Sequence, residues 1–151
     1  MAVSKLSEKK AEIYTDGSCD PNPGPGGWAA IILDGKGKKV LKGFSEESTN
    51  NRMELTAALK ALESVDPSKP VKIYTDSQYL KRGVEEWLEN WKAHSWKRKG
   101  GVLANIDLWK KISEEISRHK IVWRWIRGHS GNLFNEEVDR IAKQEIQNRR
   151  K

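Results

Sequence analysis

One tetrapeptide occurs twice in this chain, and each copy ends in an acid. Residues 13–16 read Ile-Tyr-Thr-Asp and residues 73–76 repeat the same four residues, which places Asp16 and Asp76 at the same position of two strand-like segments. If these strands are parallel neighbours about 4.8 Å apart, both carboxylates meet at one edge of the sheet. Open α/β sheets bind ligands outside the carboxyl ends of their strands. The alternative is that each aspartate only caps the turn or helix after it, and the matched pair favours the shared site.

Two further acids precede apolar helix faces. Steps of three and four residues from Glu54 reach Ala57, Ala58, Ala61 and Leu62. Asp139 is followed in the same way by Ala142 and Ile146, and we expect it in the first turn of the last helix. A buried carboxylate costs several kcal/mol unless it finds a cation. The alternative for both acids is a surface position favoured by the positive end of the helix dipole.

Asp16, Glu54, Asp76 and Asp139 together would form a cluster of four carboxylates. Such a cluster repels itself unless metal is present, and hard carboxylate oxygens suit magnesium or manganese. Four negative charges balance two divalent ions. Two ions about 4 Å apart can clamp the attacking and leaving oxygens of an in-line phosphoryl displacement. The cluster therefore predicts metal-dependent phosphoryl chemistry.

His129 is the histidine best placed to move protons near this cluster. It lies between Gly128 and Gly131, just after the last predicted strand, where we expect it to be mobile and exposed. The ordinary pKa of an imidazole suits proton transfer near neutrality. Without the neighbouring acids, an unreactive loop histidine would be the simpler interpretation.

The composition narrows the class of protein. The chain has 151 residues, of which 36% are hydrophobic and 32% charged, as expected for one globular domain with its own core. Its single cysteine, Cys19, excludes an internal disulfide and a cysteine-built zinc site. No apolar run is long enough to span a bilayer and no secretory signal is visible, so we expect a cytoplasmic protein without membrane contact. The net charge of +7 favours a polyanionic partner, although a merely soluble basic protein has the same charge.

The elements that must position these residues follow from the apolar periodicity. Five strands are predicted, over 11–15, 28–33, 39–44, 71–75 and 121–126. Helices are predicted after Thr49 or Asn50, after Asp76 or Ser77 toward Trp91, and over 106–116 and 136–147. Residues 24–27 are expected to form a turn, and 92–104 a protruding basic loop. The order βββαβα(α)αβα predicts an α/β fold with a mixed sheet in one domain over 1–151, with frayed tails at 1–10 and 148–151.

With these residues in hand, the sequence closely resembles bacterial type 1 ribonucleases H. The matching motifs are YTDGSC at 14–19 with PGPGGW at 23–28, TNNRMEL at 49–55, YTDSQY at 74–79, NIDLW at 105–109 and GHSG at 128–131. Asn135 and Asp139 complete the set, and the resemblance covers about residues 13–146. It implies a ribonuclease H-like fold, a five-stranded mixed sheet flanked by helices.

The resemblance also implies an activity and catalytic roles. The activity is endonucleolytic cleavage of the RNA strand of RNA–DNA hybrids, with little sequence specificity, leaving 5′-phosphate and 3′-hydroxyl ends. Asp16 would bridge two Mg²⁺ ions, for which Mn²⁺ could substitute. Asp139 would complete the ion that activates water, and Glu54 and Asp76 would hold the ion near the leaving oxygen. His129 would move protons or help the product depart.

Substrate contacts carry over from the family in the same way. Residues that match its minor-groove contacts are Asn22, Asn50, Asn51 and Gln78. Cys19 matches a substrate-binding residue beside that groove, and its alternative is simple packing. Tyr79 and Trp91 match aromatic residues along the DNA-strand channel. Thr49 and Asn105 match a pocket for a DNA phosphate, but Glu47 stands where the family often has arginine, which leaves open a weaker pocket or a substitute role for Arg52. Lys97, Arg98 and Lys99 match the basic protrusion, whose alternative is a solvated loop.

Three other interpretations of the same pattern can be weighed. A non-catalytic binder on this fold should lack at least one of the four carboxylates, and all four are present. A DNA strand transferase should have a partner domain, and none is visible. A module cut from a polymerase is disfavoured by the complete protrusion and by the Met1 start. We therefore expect a free-standing enzyme, acting as a monomer.

Overall fold

A five-stranded mixed sheet forms the centre of the protein. The computed structural model describes residues 10–97, 104–127 and 132–149. The strands are β1 (Ala11–Cys19), β2 (Gly24–Asp34), β3 (Gly37–Ser48), β4 (Val71–Thr75) and β5 (Ile121–Trp125). Their spatial order is β3-β2-β1-β4-β5. The pairs β1–β2 and β2–β3 are antiparallel, whereas β1–β4 and β4–β5 are parallel, which confirms the predicted mixed sheet.

The repeated tetrapeptide sets the register of the two central parallel strands. Ile13 pairs with Ile73 and Tyr14 with Tyr74, so the two copies lie side by side in phase. The Tyr14 and Tyr74 rings stack with centroids 4.5 Å apart and planes 7° from parallel. The prediction that these strands are parallel neighbours is thereby confirmed.

Helices cover both faces of the sheet. They are α1 (Asn50–Glu63), α2 (Gln78–Arg82), α3 (Leu88–Ala93), α4 (Ile106–Arg118) and α5 (Leu133–Arg149), with a π-helical segment, Gly83–Trp87, between α2 and α3. Thr49 caps α1 by accepting a hydrogen bond from the Arg52 amide at 3.1 Å. Ser77 caps α2 by accepting from the Leu80 amide at 3.0 Å. These side chains satisfy amides that have no partner inside the helix.

Each face of the sheet has its own apolar core. On one face, α1 and α4 pack together around Leu55, Ala58, Trp109 and Ile112, all buried. On the other face, α5 packs on β1 and β2 through the buried residues Tyr14, Ala29, Ile31, Val138 and Ala142. The acid-bearing helices α1 and α5 therefore lie on opposite sides of β1.

Several predicted boundaries were wrong. Residues 24–27 belong to β2 rather than to a turn, because their backbone pairs with β1 and β3 despite the proline and glycine content. The last helix begins at Leu133 rather than at residue 136, and it continues through Arg149, so residues 148 and 149 are helical rather than frayed. The first two residues of the predicted basic loop, 92 and 93, end α3.

Within the described residues, no helix is both long enough and apolar enough to cross a membrane.

Candidate active site

Three carboxylates converge at the carboxyl ends of the central parallel strands. Asp16 lies in β1, and Asp76 directly follows β4. Glu54 comes from α1, which packs against β1. One carboxylate oxygen from each of the three lies within 4.8 Å of the others. Such a set of oxygens can ligate a divalent cation.

Glu54 is held in this cluster by the residue that follows Asp76. The Ser77 hydroxyl donates a hydrogen bond to Oε2 of Glu54. Glu54 is the fifth residue of α1, and the first turn of that helix contains no acid. The helix-dipole interpretation of Glu54 therefore loses its main support, since the dipole acts within the first turn.

Asp139 reaches the cluster from the opposite face of the sheet. Asp139 lies close enough to Asp16 that its carboxyl raises the pKa of Asp16. On its other side, Lys143 Nζ donates to Asp139 Oδ2 at 3.1 Å. Asp139 is the seventh residue of α5, so its predicted place in the first turn was wrong. Asn132, whose Oδ1 accepts from the Asn135 amide at 3.0 Å, begins the helix earlier.

Burial and mutual repulsion dominate the electrostatics of the cluster. The pKa of Asp16 is raised to about 8, first by burial, then by the charge of Asp76 and the contact with Asp139, while the Gly17 amide opposes the shift. The pKa of Glu54 is raised to about 7, mainly by burial and also by Asp76, against the hydrogen bond from Ser77. A bound cation would remove much of this penalty because it favours the ionised carboxylates.

Three predicted substrate-binding residues form a hydrogen-bonded set beside the acids, which we call the amide cluster: Cys19, Asn22 and Asn50. The Cys19 amide donates to Asn50 Oδ1 at 2.7 Å, and the Asn50 amide donates to Asn22 Oδ1 at 3.0 Å. Burial raises the pKa of the Cys19 thiol. Asn51 and Gln78 are exposed nearby in sequence, at the starts of α1 and α2.

A second network, which we call the Arg52 network, joins α1 to the start of α4. Arg52 Nη1 donates to Asn105 Oδ1 at 3.1 Å, and its two terminal nitrogens contact the carboxylate of Asp107 at 3.0 and 2.8 Å. Asn105 Nδ2 in turn donates to the Tyr79 hydroxyl at 3.0 Å. Hydrogen bonding to Arg52 lowers the pKa of Asp107 to about 2. Thr49 lies beside this network as the cap of α1, and Glu47 is exposed.

The predicted aromatic residues lie partly inside the protein. Tyr79 and Trp91 are half-buried, and both contact Trp109, with ring centroids 5.6 and 5.5 Å away. Trp109 is fully buried, as expected for a packing residue.

Some predicted site residues lie outside the described part of the chain. These are His129, Arg98 and Lys99. Lys97, the remaining member of the basic protrusion, is exposed.

Sequence reasoning missed two functional features of the site. Ser77 was expected only as a possible helix cap, yet it also positions Glu54. Its place directly after Asp76 was the available signal. The pairing of Arg52 with Asp107 had no local signal, because the two residues lie on different helices.

Solved structures of similar shape define the class of protein. A type 1 ribonuclease H, LC9-RNase H1, superposes with a TM-score of 0.80 at 27% identity, covering 91% of this chain and 72% of that one. LC11-RNase H1, solved in complex with an RNA/DNA hybrid, shares the fold with a TM-score of 0.71 at 23% identity, covering 94% of this chain and 100% of its own. The fold is therefore ribonuclease H-like.

Sequence comparison gives the family. The RNase H family model matches residues 8–147. The ribonuclease H of Hahella chejuensis is 48% identical over 135 residues, which are 89% of this chain and 91% of that protein. The ribonuclease H of Granulibacter bethesdensis is 50% identical over 132 residues, 87% of this chain and 88% of its own. The chain belongs to the ribonuclease H family and is a hydrolase with endoribonuclease activity.

Proposed function

We propose that this chain cleaves the RNA strand of RNA–DNA hybrids by two-metal-ion hydrolysis at the acid cluster, leaving 5′-phosphate and 3′-hydroxyl ends. The observation that carries the proposal is the convergence of Asp16, Glu54 and Asp76 oxygens within 4.8 Å of one another. Family membership supports the reaction, and the acid cluster supports the mechanism.

The donor set fits hard divalent cations. All four ligands we assign, Asp16, Glu54, Asp76 and Asp139, offer carboxylate oxygens. Burial raises the pKa values of Asp16 and Glu54, and a nearby cation would offset this cost to their ionised forms. Oxygen-only ligands suit Mg²⁺, with Mn²⁺ as a substitute. Asp16 would be shared by both ions because it faces Asp76 and Asp139. When bound, the ions supply positive charge for the attacking and leaving oxygens of an in-line displacement.

The chain itself supplies orientation and proton handling. The Gly17 amide donates to Asp16 Oδ1 at 2.9 Å, and the Ser77 hydroxyl fixes one oxygen of Glu54. Such hydrogen bonds hold ligands in productive orientations before substrate arrives. His129 is proposed to carry protons to the leaving oxygen or to aid product departure, a role that suits its ordinary pKa.

Substrate selection is assigned to the surfaces beside the acids. The amide cluster, with exposed Asn51 and Gln78, offers short polar groups that can test for the 2′-hydroxyls of an RNA strand. Lys97, Arg98 and Lys99 would hold phosphates without reading sequence. Tyr79 and Trp91 would border the DNA strand.

Thr49 and Asn105 would form the DNA-phosphate pocket. This pocket would carry less positive charge than one with an arginine at the position of Glu47. Glu47 supplies no cation there. Arg52 contacts Asn105, but the carboxylate of Asp107 engages both of its terminal nitrogens. We therefore propose that Arg52 shapes the pocket while Asp107 offsets most of its charge.

The remaining assignments follow the expectations from chain length and composition. We propose that residues 1–151 act as one catalytic domain, as a monomer, in the cytoplasm.

The test is cleavage of end-labelled duplexes in magnesium. We expect cutting of the RNA strand in an RNA–DNA hybrid, and no cutting of matched RNA or DNA duplexes. Products should be substrates for 5′-phosphate-dependent ligation. Binding without cleavage would indicate a non-catalytic binder, and preferred cutting of DNA would indicate a different nuclease; either result would overturn the proposal.

A further inference from the structure

Gly17, in β1, lies directly against the backbone of α1. A methyl group placed on Gly17 would lie 2.4 Å from the carbonyl carbon of Met53, 2.5 Å from its oxygen and 2.7 Å from the amide nitrogen of Glu54. Ordinary contacts of such a methyl group begin at 3.4 Å. Alanine would therefore push the α1 backbone away by roughly 1 Å, since close-packed interiors have little room to absorb the overlap.

The requirement for glycine at this position comes from space and not from backbone conformation. Gly17 is in a regular strand, paired with Trp28, and its φ is outside the left-handed region. Alanine could adopt the same backbone and keep the amide that donates to Asp16. The contacted atoms belong to Met53 and Glu54, and the Glu54 side chain carries one of the converging carboxylates. The missing Cβ therefore lets Glu54 approach Asp16.

Gly27 has the same relation to the other acid-bearing helix. A methyl group there would lie 2.2 Å from the carbonyl oxygen of Ala142 in α5. Ala142 lies one helical turn after Asp139, so a shift of α5 at this contact moves Asp139 as well. The two helices thus approach the sheet from opposite faces, and each does so over a glycine.

We propose that Gly17 and Gly27 are positioning residues, with Gly17 setting the place of Glu54 and Gly27 setting the place of Asp139. The inference rests on the proposed function, because it takes both acids as metal ligands. Each glycine acts through the backbone of one helix and touches neither metal nor substrate. Misplacing a ligand by about 1 Å should weaken metal binding by about 10- to 100-fold, the range found when groups that orient ligands are lost.

Gly26 offers a matched control between the two. The three atoms nearest to a methyl group on Gly26 would all be side-chain atoms, of Met53 and Cys19, at 2.7–2.8 Å. These side chains can rotate away, whereas a helix backbone cannot. Gly26→Ala adds the same volume on the same strand as Gly27→Ala, and it should therefore bind Mg²⁺ within about 2-fold of the parent.

The experiment is a set of double-mutant cycles in which each glycine variant is combined with each acid variant and metal affinity is measured. Mg²⁺ and Mn²⁺ affinities are measured by calorimetry for Gly17→Ala and Gly27→Ala, each alone and combined with Glu54→Ala or Asp139→Ala. The weakening by Gly17→Ala should disappear in the Glu54→Ala background and persist in Asp139→Ala. Gly27→Ala should show the reverse pattern. Hybrid affinity in calcium should change less than metal affinity.

The outcomes separate this inference from the function on which it rests. If Glu54→Ala and Asp139→Ala alone leave metal affinity unchanged, the proposed metal site fails. If they weaken it, but Gly17→Ala weakens it equally in every background, Gly17 is a packing residue and the inference fails. Thermal unfolding in EDTA is measured first, and titrations are run at 5 °C for any destabilised variant. Should Gly17→Ala not fold, the inference is decided by Gly27→Ala, measured with and without Asp139→Ala, and an equal weakening of metal binding in both backgrounds would overturn it.

Discussion

The Arg52 network and the acid cluster, which share helix α1, shift carboxylate pKa values in opposite directions. Arg52 and Glu54 are two residues apart on α1, and they point to different neighbours. Arg52 engages Asp107, whose pKa falls to about 2, while Glu54 joins Asp16, and their pKa values rise to about 7 and 8. The first group has its cation within the chain. In the second group, burial disfavours the ionised carboxylates. This difference distinguishes a site suited to an external cation from a structural ion pair.

The sharpest test of this contrast is cleavage by matched variants. Asp16→Asn should reduce hybrid cleavage in magnesium by at least about 1,000-fold, because it removes the carboxylate that would be shared by the two cations which stabilise the developing phosphoryl charge. Asp107→Asn, the same chemical change in the Arg52 network, should stay within a few-fold of the parent. Hybrid binding in calcium should survive in both. Near-normal turnover of Asp16→Asn would remove Asp16 from the catalytic assignment.

The next effect is stabilisation by metal. A ligand at 100 times its dissociation constant stabilises a fold by about 2.7 kcal/mol. Chelation from such a magnesium concentration at pH 8 should therefore lower the Tm by roughly 5–10 °C for a chain of this size. At pH 5 the loss should be smaller, since protons occupy the cluster. If EDTA leaves the Tm unchanged at pH 8, the acids do not bind metal in the free protein.

A third effect concerns the metal-free protein, whose stability should decrease as the pH rises. The folded pKa values of Asp16 and Glu54, about 8 and 7, exceed their ordinary values of 3.8 and 4.5, so the folded state holds more protons between about pH 4 and pH 8. Stability must fall as pH rises through that window. Asp16→Asn should remove part of the loss, raising stability at pH 8 by about 1–2 kcal/mol and very little at pH 4.

The measurement is thermal unfolding in EDTA from pH 4 to pH 9. The parent and Asp16→Asn curves should converge at low pH and separate at high pH. A variant that is less stable than the parent at pH 8 would show that the ionised Asp16 contributes favourable contacts, contrary to its raised pKa.

The same contrast explains what sequence reasoning could and could not predict. Asp16 and Asp76 were found because a local pattern, the repeated tetrapeptide, also specifies strand register. Thr49, one of two candidate caps for α1, and the strand β4 were predicted from capping and periodicity, which are local properties. Residues 24–27 were misread because their glycines look like a turn in isolation.

Gly27, in this segment, and Gly17, in β1, are required by contacts between segments that are distant in the sequence. Gly27 and Gly17 are small because α5 and α1 cross over them, more than 30 residues away along the chain. The pairing of Arg52 with Asp107 likewise spans 55 residues. Such contacts leave no periodicity in the sequence, so only the folded chain reveals which helix approaches which strand.

The smallest predicted effect belongs to the Arg52 network. The folded pKa of Asp107, about 2, lies below its ordinary 3.8, so its pairing stabilises the fold above about pH 4 and is lost as pH falls toward 2. The side chain of Asp107 is 59% exposed and that of Arg52 36%, so solvent screens the pair and it contributes at most about 1 kcal/mol. Asp107→Asn should therefore lower the Tm by roughly 2–4 °C at pH 7.

The pH and salt dependence of this loss identify its cause. At pH 2 the parent and Asp107→Asn should unfold at nearly the same temperature, and at pH 7 the gap should shrink in 0.5 M salt because the charges are exposed. Part of the gap also reflects the place of Asp107 in the first turn of α4, where the helix dipole favours a carboxylate. An equal gap at pH 2 and pH 7 would mean that Asp107 acts through hydrogen bonding and not through charge. The contrast with Asp16, whose replacement stabilises the metal-free fold at high pH, would then lose its electrostatic basis.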